Sequence, residues 1–451
     1  QSFNLYADLG SFSKRIDDFF QRTISDALTD FQNTTSELYE KEIIEPLCSP
    51  QDREFDGGEQ NLRMLGSALS FFCGCLDPES VSFAQNLADA TRIYGPFERD
   101  LRIPLAETFD LIHSHEKCSS IVEGTLDFLG HQMADVIEEK VNDNPMGARR
   151  GGDIGLIPSI GGYINLVLEG NTYDGWAVLY YALRCNSIAD AIRYVEANPN
   201  QFTDRILHTL RHRLGGRAIE PDVLRQLLSE LSTEMTLRDG NEYKAAVLAV
   251  LSKNGGTEIR NICKDPRDWI WFRLQLIGDE DLPEVVKDLD RLDIDEFFLK
   301  TQYLIMTGQY QEAVTALCNE KTNQIENSHL AIAMYTTGLV PEDSITKVLF
   351  SLARRVFTAD RISAVKYAAL IKEKDRMANT LARMVIEFPD GVKLLEPSEG
   401  EASPISLVLS PDDQQMVIET AASMADAMDV RELAPILYRL AGNHKRAAEI
   451  E

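Results

Sequence analysis

Apolar residues recur along most of this chain at the intervals expected of helices. In Tyr173–Glu196, one apolar face has the i, i+3, i+4, i+7 spacing of a buried helix stripe: Trp176, Leu179, Tyr180 and Leu183. A second apolar face follows it: Ile188, Ala191, Ile192 and Val195. Asn186 lies between the two, and asparagine tolerates the left-handed backbone that ends many helices. The pattern predicts two helices packed as a hairpin.

The same arrangement recurs at Tyr303–Leu317 and at Leu437–Glu451. Each time an aliphatic helix ends at a Gly or Asn, and an Ala follows five residues later on the next helix. The three pairs of break and alanine are Asn186 with Ala191, Gly308 with Ala313, and Gly442 with Ala447. Because the unit recurs without a fixed period, it predicts an irregular α-solenoid of stacked helical hairpins and not a consensus repeat array.

No series of alternating apolar and polar positions is visible, so we expect an all-α fold. Residues 1–141 read as an N-terminal helical part, beginning with an amphipathic helix over residues 1–33. Residues 142–162 contain six glycines and two prolines, which predicts a crossing without regular helix. Residues 163–451 are expected to form the hairpin solenoid. Within it, residues 389–411 read as a loop, with a short extended piece at Ile405–Leu409.

The composition narrows the classes of partner. Lys and Arg total 45 against 72 Asp and Glu, a net charge of −27, so the chain as a whole should repel nucleic acid and anionic membranes. No window is long and apolar enough to span a bilayer. The seven cysteines are scattered, as expected of reduced thiols in a cytosolic or nuclear protein. Because no signal peptide follows Gln1 and Glu451 ends a helix-like run, we expect both ends to be truncated.

Motifs for chemistry are weak. His113 and His115 lack a carboxylate or cysteine cluster at zinc spacing. His208 and His212 share a helix face, but the glutamate of a zincin helix is missing between them and three nearby arginines should repel a cation: Arg205, Arg211 and Arg213. The pair Cys73 and Cys75 forms no CxxC motif. Residues 151–155 lack the Gly-Lys-Ser/Thr of a phosphate loop. We therefore predict no catalytic residue, no metal, no cofactor and no small-molecule substrate.

Two local features match no catalytic motif but need an interpretation. The aromatic clusters Trp176/Tyr180/Tyr181 and Trp269/Trp271/Phe272 fit a hairpin core better than a ligand cage. One basic stretch stands out in an acidic protein, and its four arginines are Arg205, Arg211, Arg213 and Arg217. It fits an ordinary solvated face or a docking patch for an acidic segment, and both interpretations stay open.

The segment Gly161–Arg184 resembles the nucleoporin-interacting component family, the inner-ring scaffold nucleoporins of the nuclear pore complex. Its matching residues are Gly162, Tyr163, Asn165, Leu166, Val167, Trp176, Ala177, Tyr180 and Tyr181. Three later blocks are similar to the family in the same order: Asp268–Ile277, Phe297–Leu317 and Ala359–Ile371. The resemblance covers residues 151–451. The family's N-terminal coiled-coil segment and the last helices of its solenoid are not visible, so partners bound through those parts are not assigned to this chain.

The resemblance implies an elongated α-solenoid that doubles back on itself, related to vesicle-coat subunits. It implies a structural role at the nuclear envelope, in the pore inner ring, that supports nucleocytoplasmic transport of protein and mRNA. The implied partners are linker nucleoporins, one of them membrane-associated, and large inner-ring solenoid subunits. The alternative is a helical-solenoid adaptor of a vesicle coat or other regulatory complex, because the same hairpins would serve it. An α-helical enzyme is the least favoured class, since no motif gathers polar groups.

Overall fold

The structure, a computed structural model, describes residues 71–75, 82–94, 99–150, 154–167, 174–237, 240–254, 262–263, 265–289, 296–320, 323–357, 360–397 and 402–450. Within these ranges every regular element is helical and no strand occurs, which confirms the all-α prediction. The first eleven full helices, in chain order, are α1 Phe83–Tyr94, α2 Arg99–Lys117, α3 Ile121–Asp143, α4 Pro145–Ala148, α5 Leu156–Val167, α6 Gly175–Arg184, α7 Ile188–Ala197, α8 Asp204–Leu214, α9 Pro221–Thr236, α10 Glu242–Ser252 and α11 Pro266–Leu276.

The remaining helices are α12 Leu282–Leu289, α13 Phe297–Met306, α14 Tyr310–Asn319, α15 Gln324–Thr336, α16 Thr346–Phe357, α17 Arg361–Ala369, α18 Lys374–Glu387, α19 Pro404–Val408, α20 Pro411–Ala427, α21 Ala434–Leu440 and α22 His444–Ile450. Short 3-10 turns occur at Asp279–Asp281, Glu342–Ser344 and Gly391–Leu394. Many helices pack against their neighbours in the chain through short turns, as stacked hairpins do.

The helices form two units, which we call the inserted unit (Ser114–Gln309) and the flanking unit (the described residues up to His113 together with Tyr310 onward). In the inserted unit the long helix α3 packs against α5, α6, α11 and α13, and successive pairs α6–α7, α7–α8 and α9–α10 follow. A buried face at the expected helical spacing explains this stacking: in α6, Leu179, Tyr180 and Leu183 are all buried.

In the flanking unit the pairs α14–α15, α16–α17, α17–α18, α18–α20, α20–α21 and α21–α22 pack in sequence, and α1 packs on α15. Helix α15 is buried nearly all round, from Ile325 to Tyr335. A helix that is buried on every side belongs in a core, so α15 is the centre of this unit, with polar residues such as His329 among its buried side chains.

Two expectations about loops are wrong. Helix α5 begins at Leu156 and continues through Gly161 and Gly162, inside the stretch predicted to lack helix. The reason is packing: a Cβ on Gly162 would lie 3.3 Å from Ala148 and from Val141, so this glycine lets α5 approach its neighbours closely. The extended piece expected at Ile405–Leu409 is instead helix α19, which Ser403 precedes and Pro404 begins.

The unit boundaries fall at residues 113/114 and 309/310. The three-part division of the sequence at 142–162 is a different partition and stays a prediction. The amphipathic helix expected over residues 1–33 lies outside the described residues.

Candidate functional site

The three predicted helix breaks have the left-handed backbone that the sequence implied, with φ of 54° at Asn186, 75° at Gly308 and 78° at Gly442. Each also forms both hydrogen bonds of a Schellman motif. After α6, the N–H of Asn186 donates to the carbonyl of Leu183 at 2.9 Å, and the N–H of Ser187 donates to that of Ala182 at 3.0 Å.

The same two bonds occur at the other two breaks. At the second break, the Gly308 N–H donates to the Ile305 carbonyl at 2.9 Å and the Gln309 N–H to the Leu304 carbonyl at 2.8 Å. At the third, the Gly442 N–H donates to the Arg439 carbonyl at 3.0 Å and the Asn443 N–H to the Tyr438 carbonyl at 2.8 Å. The alanines five residues on are buried: Ala191, Ala313 and Ala447. The sequence device is therefore one recurrent turn, which satisfies the last carbonyls of a helix and starts the next helix after one or two residues. A role for these six residues beyond the turn stays a prediction.

Sequence reasoning missed four further turns of this kind. Gly216, Lys253, Gly338 and Asp429 all have positive φ and make the same pair of backbone hydrogen bonds. A double glycine at 215–216 could have signalled the first. Lys253 carries no such signal, because lysine rarely adopts the left-handed conformation, whereas aspartate at 429 belongs to a type that adopts it more readily.

The centre of the inserted unit is a buried cation. The Arg184 side chain, at the end of α6, donates from Nε to Asp268 Oδ1 at 3.1 Å and from Nη1 to the Leu129 carbonyl at 2.6 Å. Its guanidinium also lies 5.4 Å from the centroid of Trp271. Arg184 thus links α6, α3 and α11 through charge-assisted hydrogen bonds.

Two of the aromatic residues singled out in the sequence, Trp271 and Tyr180, pack beside this cation. Tyr180 and Trp271 are buried and meet edge to face at 5.6 Å between centroids, and Tyr181 lies between Tyr163 and Tyr243. Such edge-to-face contacts are those of a packed core. These rings form part of the hairpin core.

The four arginines of the basic stretch have different environments. Arg205 pairs with Glu230 at 3.4 Å and Arg211 with Glu196 at 2.5 Å. Arg213 turns inward, where it donates to the Val250 carbonyl at 3.0 Å and to the side-chain oxygen of Gln275. Arg211 and Arg217 are exposed. Of the two, Arg211 shares its charge with Glu196, and docking through this surface stays a prediction.

The histidines at 113 and 115 serve separate structural contacts. His113 Nδ1 lies 2.7 Å from Ser82 Oγ. His115 Nε2 lies 3.0 Å from Thr125 Oγ1, whose hydroxyl donates to the Met306 carbonyl at 2.9 Å. Burial lowers the pKa of His115 to about 4, so the ring is neutral at pH 7.

Burial raises the pKa of the Cys73 and Cys75 thiols to about 11, which keeps both protonated and unreactive.

A different group of possible ligands does come together. His208 and His212, one turn apart on α8, each place a ring nitrogen within 4.8 Å of a carboxylate oxygen of Glu220 and of each other. The sequence analysis did not predict this group because no glutamate lies between His208 and His212 within helix α8. Glu220 reaches the histidines from the start of α9, after the turn at Gly216. Among the described residues, no other group of three such side chains is this close.

Within the described ranges, no helix combines the length and the apolar composition that crossing a membrane requires. Three features of the described chain stand out as candidate functional sites. They are the buried polar and aromatic contacts between helices, the exposed Arg211 and Arg217, and the cluster of His208, His212 and Glu220.

The chain is similar in sequence to known proteins. The family model Nup93/Nic96 matches residues 99–450. The nuclear pore complex protein Nup93 of Danio rerio is 22% identical over 410 residues, covering 78% of this chain and 50% of that protein. Nucleoporin NIC96 of Chaetomium thermophilum is 22% identical over 420 residues, covering 73% of this chain and 38% of that protein. The chain thus spans about half or less of the length of these curated relatives.

Among solved structures, the crystal structure of Chaetomium thermophilum Nic96 SOL matches with a TM-score of 0.65 at 16% identity, covering 87% of this chain and 71% of the other. That likeness shows a common fold, and it confirms the α-solenoid prediction. Because the family model covers most of the chain, the resemblance found in the sequence is also confirmed: this protein belongs to the Nup93/Nic96 family of nuclear pore proteins.

Proposed function

We propose that this chain is a structural scaffold nucleoporin of the nuclear pore inner ring, which acts by docking other proteins and supports nucleocytoplasmic transport. The observation that carries the proposal is the family match over residues 99–450. Relatives named as nuclear pore complex proteins match most of this chain, and the helices stack as in a solenoid, a fold that offers long surfaces for partners.

The absence of catalysis is part of the proposal. The buried polar groups described above are engaged in holding helices: Arg184 is bound to Asp268 and Leu129, and His115 to Thr125. A catalytic site instead gathers a nucleophile, an acid or a base around a cleft. Thiols whose pKa burial raises, such as Cys185 at about 12, do not supply a nucleophile at neutral pH.

The partners we propose are short segments of linker nucleoporins and the large solenoid subunits of the same ring. Short segments bind helical scaffolds mainly by placing apolar anchors in grooves between helices. With a net charge of −27, this chain is poorly suited to bind nucleic acid directly. Contacts should therefore be mainly hydrophobic, with charge steering secondary.

Localisation and capture of the tagged full-length protein test the proposal. We expect a punctate nuclear rim, and we expect nuclear-envelope extract to yield linker nucleoporins that stay bound at moderate salt. An attraction between exposed charges would weaken there, because it is screened over roughly 8 Å at physiological ionic strength. Cytoplasmic puncta with capture of coat components and no nucleoporin would support the vesicle-coat alternative instead.

The basic stretch can be tested separately within that experiment. Arg211 and Arg217 are exposed, so reversing both to Glu changes surface charge with little effect on packing. Arg213 is left unchanged because its contacts with Val250 and Gln275 are internal. Loss of a captured partner on Arg211→Glu/Arg217→Glu, but not on Arg431→Glu at another exposed arginine, would assign that partner to this patch. Equal capture by both variants would remove the patch from the docking surface.

A further inference from the structure

We propose that His208, His212 and Glu220 form a Zn²⁺ site that ties the end of helix α8 to the start of helix α9. The three side chains offer two imidazole nitrogens and one carboxylate oxygen, all within 4.8 Å of one another. Two histidines and one carboxylate are a common ligand set for zinc, and a water molecule completes four-coordinate sites of this kind.

The backbone explains why the three residues meet. His208 and His212 are one turn apart on α8, so they lie on the same face of the helix, and their rings are 4.1 Å apart between centroids. The helix then ends in a Schellman turn at Gly216, where φ is 64° and Arg217 N–H donates to the His212 carbonyl at 2.9 Å. This turn reverses the chain and brings Glu220 back beside the two rings.

The hydrogen bonding of His212 leaves a nitrogen for the metal. Its Nδ1 lies 3.1 Å from the carbonyl oxygen of Ala218. A carbonyl can only accept, so Nδ1 carries the proton and Nε2 keeps its lone pair in the neutral ring. A metal-bound histidine usually donates its other ring nitrogen in this way, often to a backbone carbonyl, which fixes both the tautomer and the ring orientation.

Within the described ranges, the other two ligands have unused polar atoms. His208 Nδ1 is buried and makes no hydrogen bond to the described part of the chain, a cost that native proteins rarely leave unexplained. Glu220 is the N-cap residue of α9, yet its side chain makes no capping hydrogen bond there. Its carboxylate is exposed and can therefore rotate toward a bound ion.

The nearby arginines are not the obstacle that the sequence implied. Arg211 pairs with Glu196. Arg205 pairs with Glu230, which together with Glu234 also holds Lys244. Arg213 is directed toward Val250 and Gln275. Around a tetrahedral zinc with bonds of about 2.1 Å, ligand atoms lie roughly 3.4 Å apart. Because the ligand atoms now lie within 4.8 Å of one another, they need to approach by at most about 1.4 Å, and rotation of the exposed Glu220 side chain can supply much of this.

Zinc titration of the chelator-treated 451-residue chain by calorimetry tests the site. We expect one Zn²⁺ per chain at high affinity. His208→Ala and His212→Ala should each weaken binding by 10-fold or more, and Glu220→Gln by a smaller factor. His444→Ala, at an exposed histidine that belongs to no such group in the described structure, should bind as the wild type does. Unchanged affinity in all three ligand variants, or no binding by the wild type, would overturn the proposal.

Two further measurements keep the result decisive. Cobalt in place of zinc should give ligand-field absorption without a strong thiolate charge-transfer band; that band would place the metal on cysteines and overturn the proposal. Zinc should also raise the melting temperature of the wild type and of His444→Ala, as binding to the folded state must. Because Glu220 is exposed, Glu220→Gln should fold normally and show a smaller rise. An equal rise in Glu220→Gln would exclude Glu220 as a ligand.

Discussion

The two units of this protein have different kinds of buried polar centre. In the inserted unit the centre is charged: Arg184 joins Asp268, the Leu129 carbonyl and the ring of Trp271. In the flanking unit the centre is neutral. His329 stacks on Phe72 at 4.0 Å between centroids, and its Nε2 lies 2.7 Å from the hydroxyl of Tyr367.

The neutral centre has a definite direction of donation. His329 Nδ1 lies 2.6 Å from the Ile325 carbonyl, which can only accept, so the proton is on Nδ1. Nε2 must then accept from the Tyr367 hydroxyl, whose oxygen lies 3.7 Å from Cys73 Sγ. Burial raises the Cys73 pKa to about 11, so the thiol keeps its proton and can donate to Tyr367. Every polar atom of the chain of bonds is thus satisfied without any charge.

The difference has a consequence for stability. A buried charge is costly to leave unpaired, whereas neutral groups lose about one hydrogen bond when a partner is removed. The inserted unit should therefore be more sensitive to substitution at its centre. The flanking unit should be sensitive to any change that places a charge on His329.

The largest effect is expected at Arg184. Arg184→Met keeps most of the side-chain volume but removes the guanidinium that pairs with Asp268 and donates to the Leu129 carbonyl. We expect a loss of about 3–5 kcal/mol in the free energy of unfolding, measured by urea denaturation. Arg193→Met, at an exposed pair with Asp190 on the next helix, should change it by less than about 0.5 kcal/mol. Similar losses in both variants would show that burial does not distinguish these two arginines.

The next effect compares one turn in the two units. Gly308 has a φ of 75°, and a Cβ added there would lie 2.6 Å from Ile121 Cδ1. At Gly442, no atom of the described residues lies within 4 Å of an added Cβ. Gly442→Ala should therefore cost only the backbone term, about 1 kcal/mol, and Gly308→Ala about 2–3 kcal/mol. Chemical denaturation of both variants measures the difference. Equal costs would mean that Ile121 moves aside freely.

These turns also show what the sequence could reveal. Asn186, Gly308 and Gly442 were predictable because a glycine or asparagine directly after an apolar helix face is a local signal. Lys253 adopts the same conformation without that signal. The buried pair of Arg184 and Asp268 joins residues 84 apart in sequence, and no local pattern encodes such a contact.

The candidate zinc site likewise depends on a contact that the local sequence pattern does not encode. Two histidines four residues apart are visible in any reading of the sequence, but the third ligand depends on how tightly the chain turns at Gly216. Segment 142–162 illustrates the opposite error. Its glycines predicted a loop by intrinsic propensity, while Gly162 serves close packing against Val141 and Ala148 inside helix α5.

Acid should affect both units through one buried histidine each. Burial lowers the pKa of His329 and of His115 to about 4, below about 6.5 in an unfolded chain. As the pH falls from 6.5 to 4 the unfolded state binds protons first, so stability is complete above about pH 6.5 and is lost below it. Between pH 7 and pH 5 each histidine should cost about 2 kcal/mol. In urea titrations, His329→Gln should lose about 2 kcal/mol less than the wild type over this range; an equal loss would mean that His329 is not buried and neutral.

The smallest effect tests the neutral centre directly. Tyr367→Phe removes the hydroxyl between Cys73 and His329 but keeps the ring, so His329 Nε2 loses its donor in a buried site. We expect a loss of about 1–2 kcal/mol in the free energy of unfolding, well below that of Arg184→Met. Tyr438→Phe, whose hydroxyl bonds Asp426 at a partly exposed position, should cost about 0.5 kcal/mol or less. If Tyr367→Phe costs as much as Arg184→Met in urea denaturation, charge does not set the difference between the two centres, and the comparison fails.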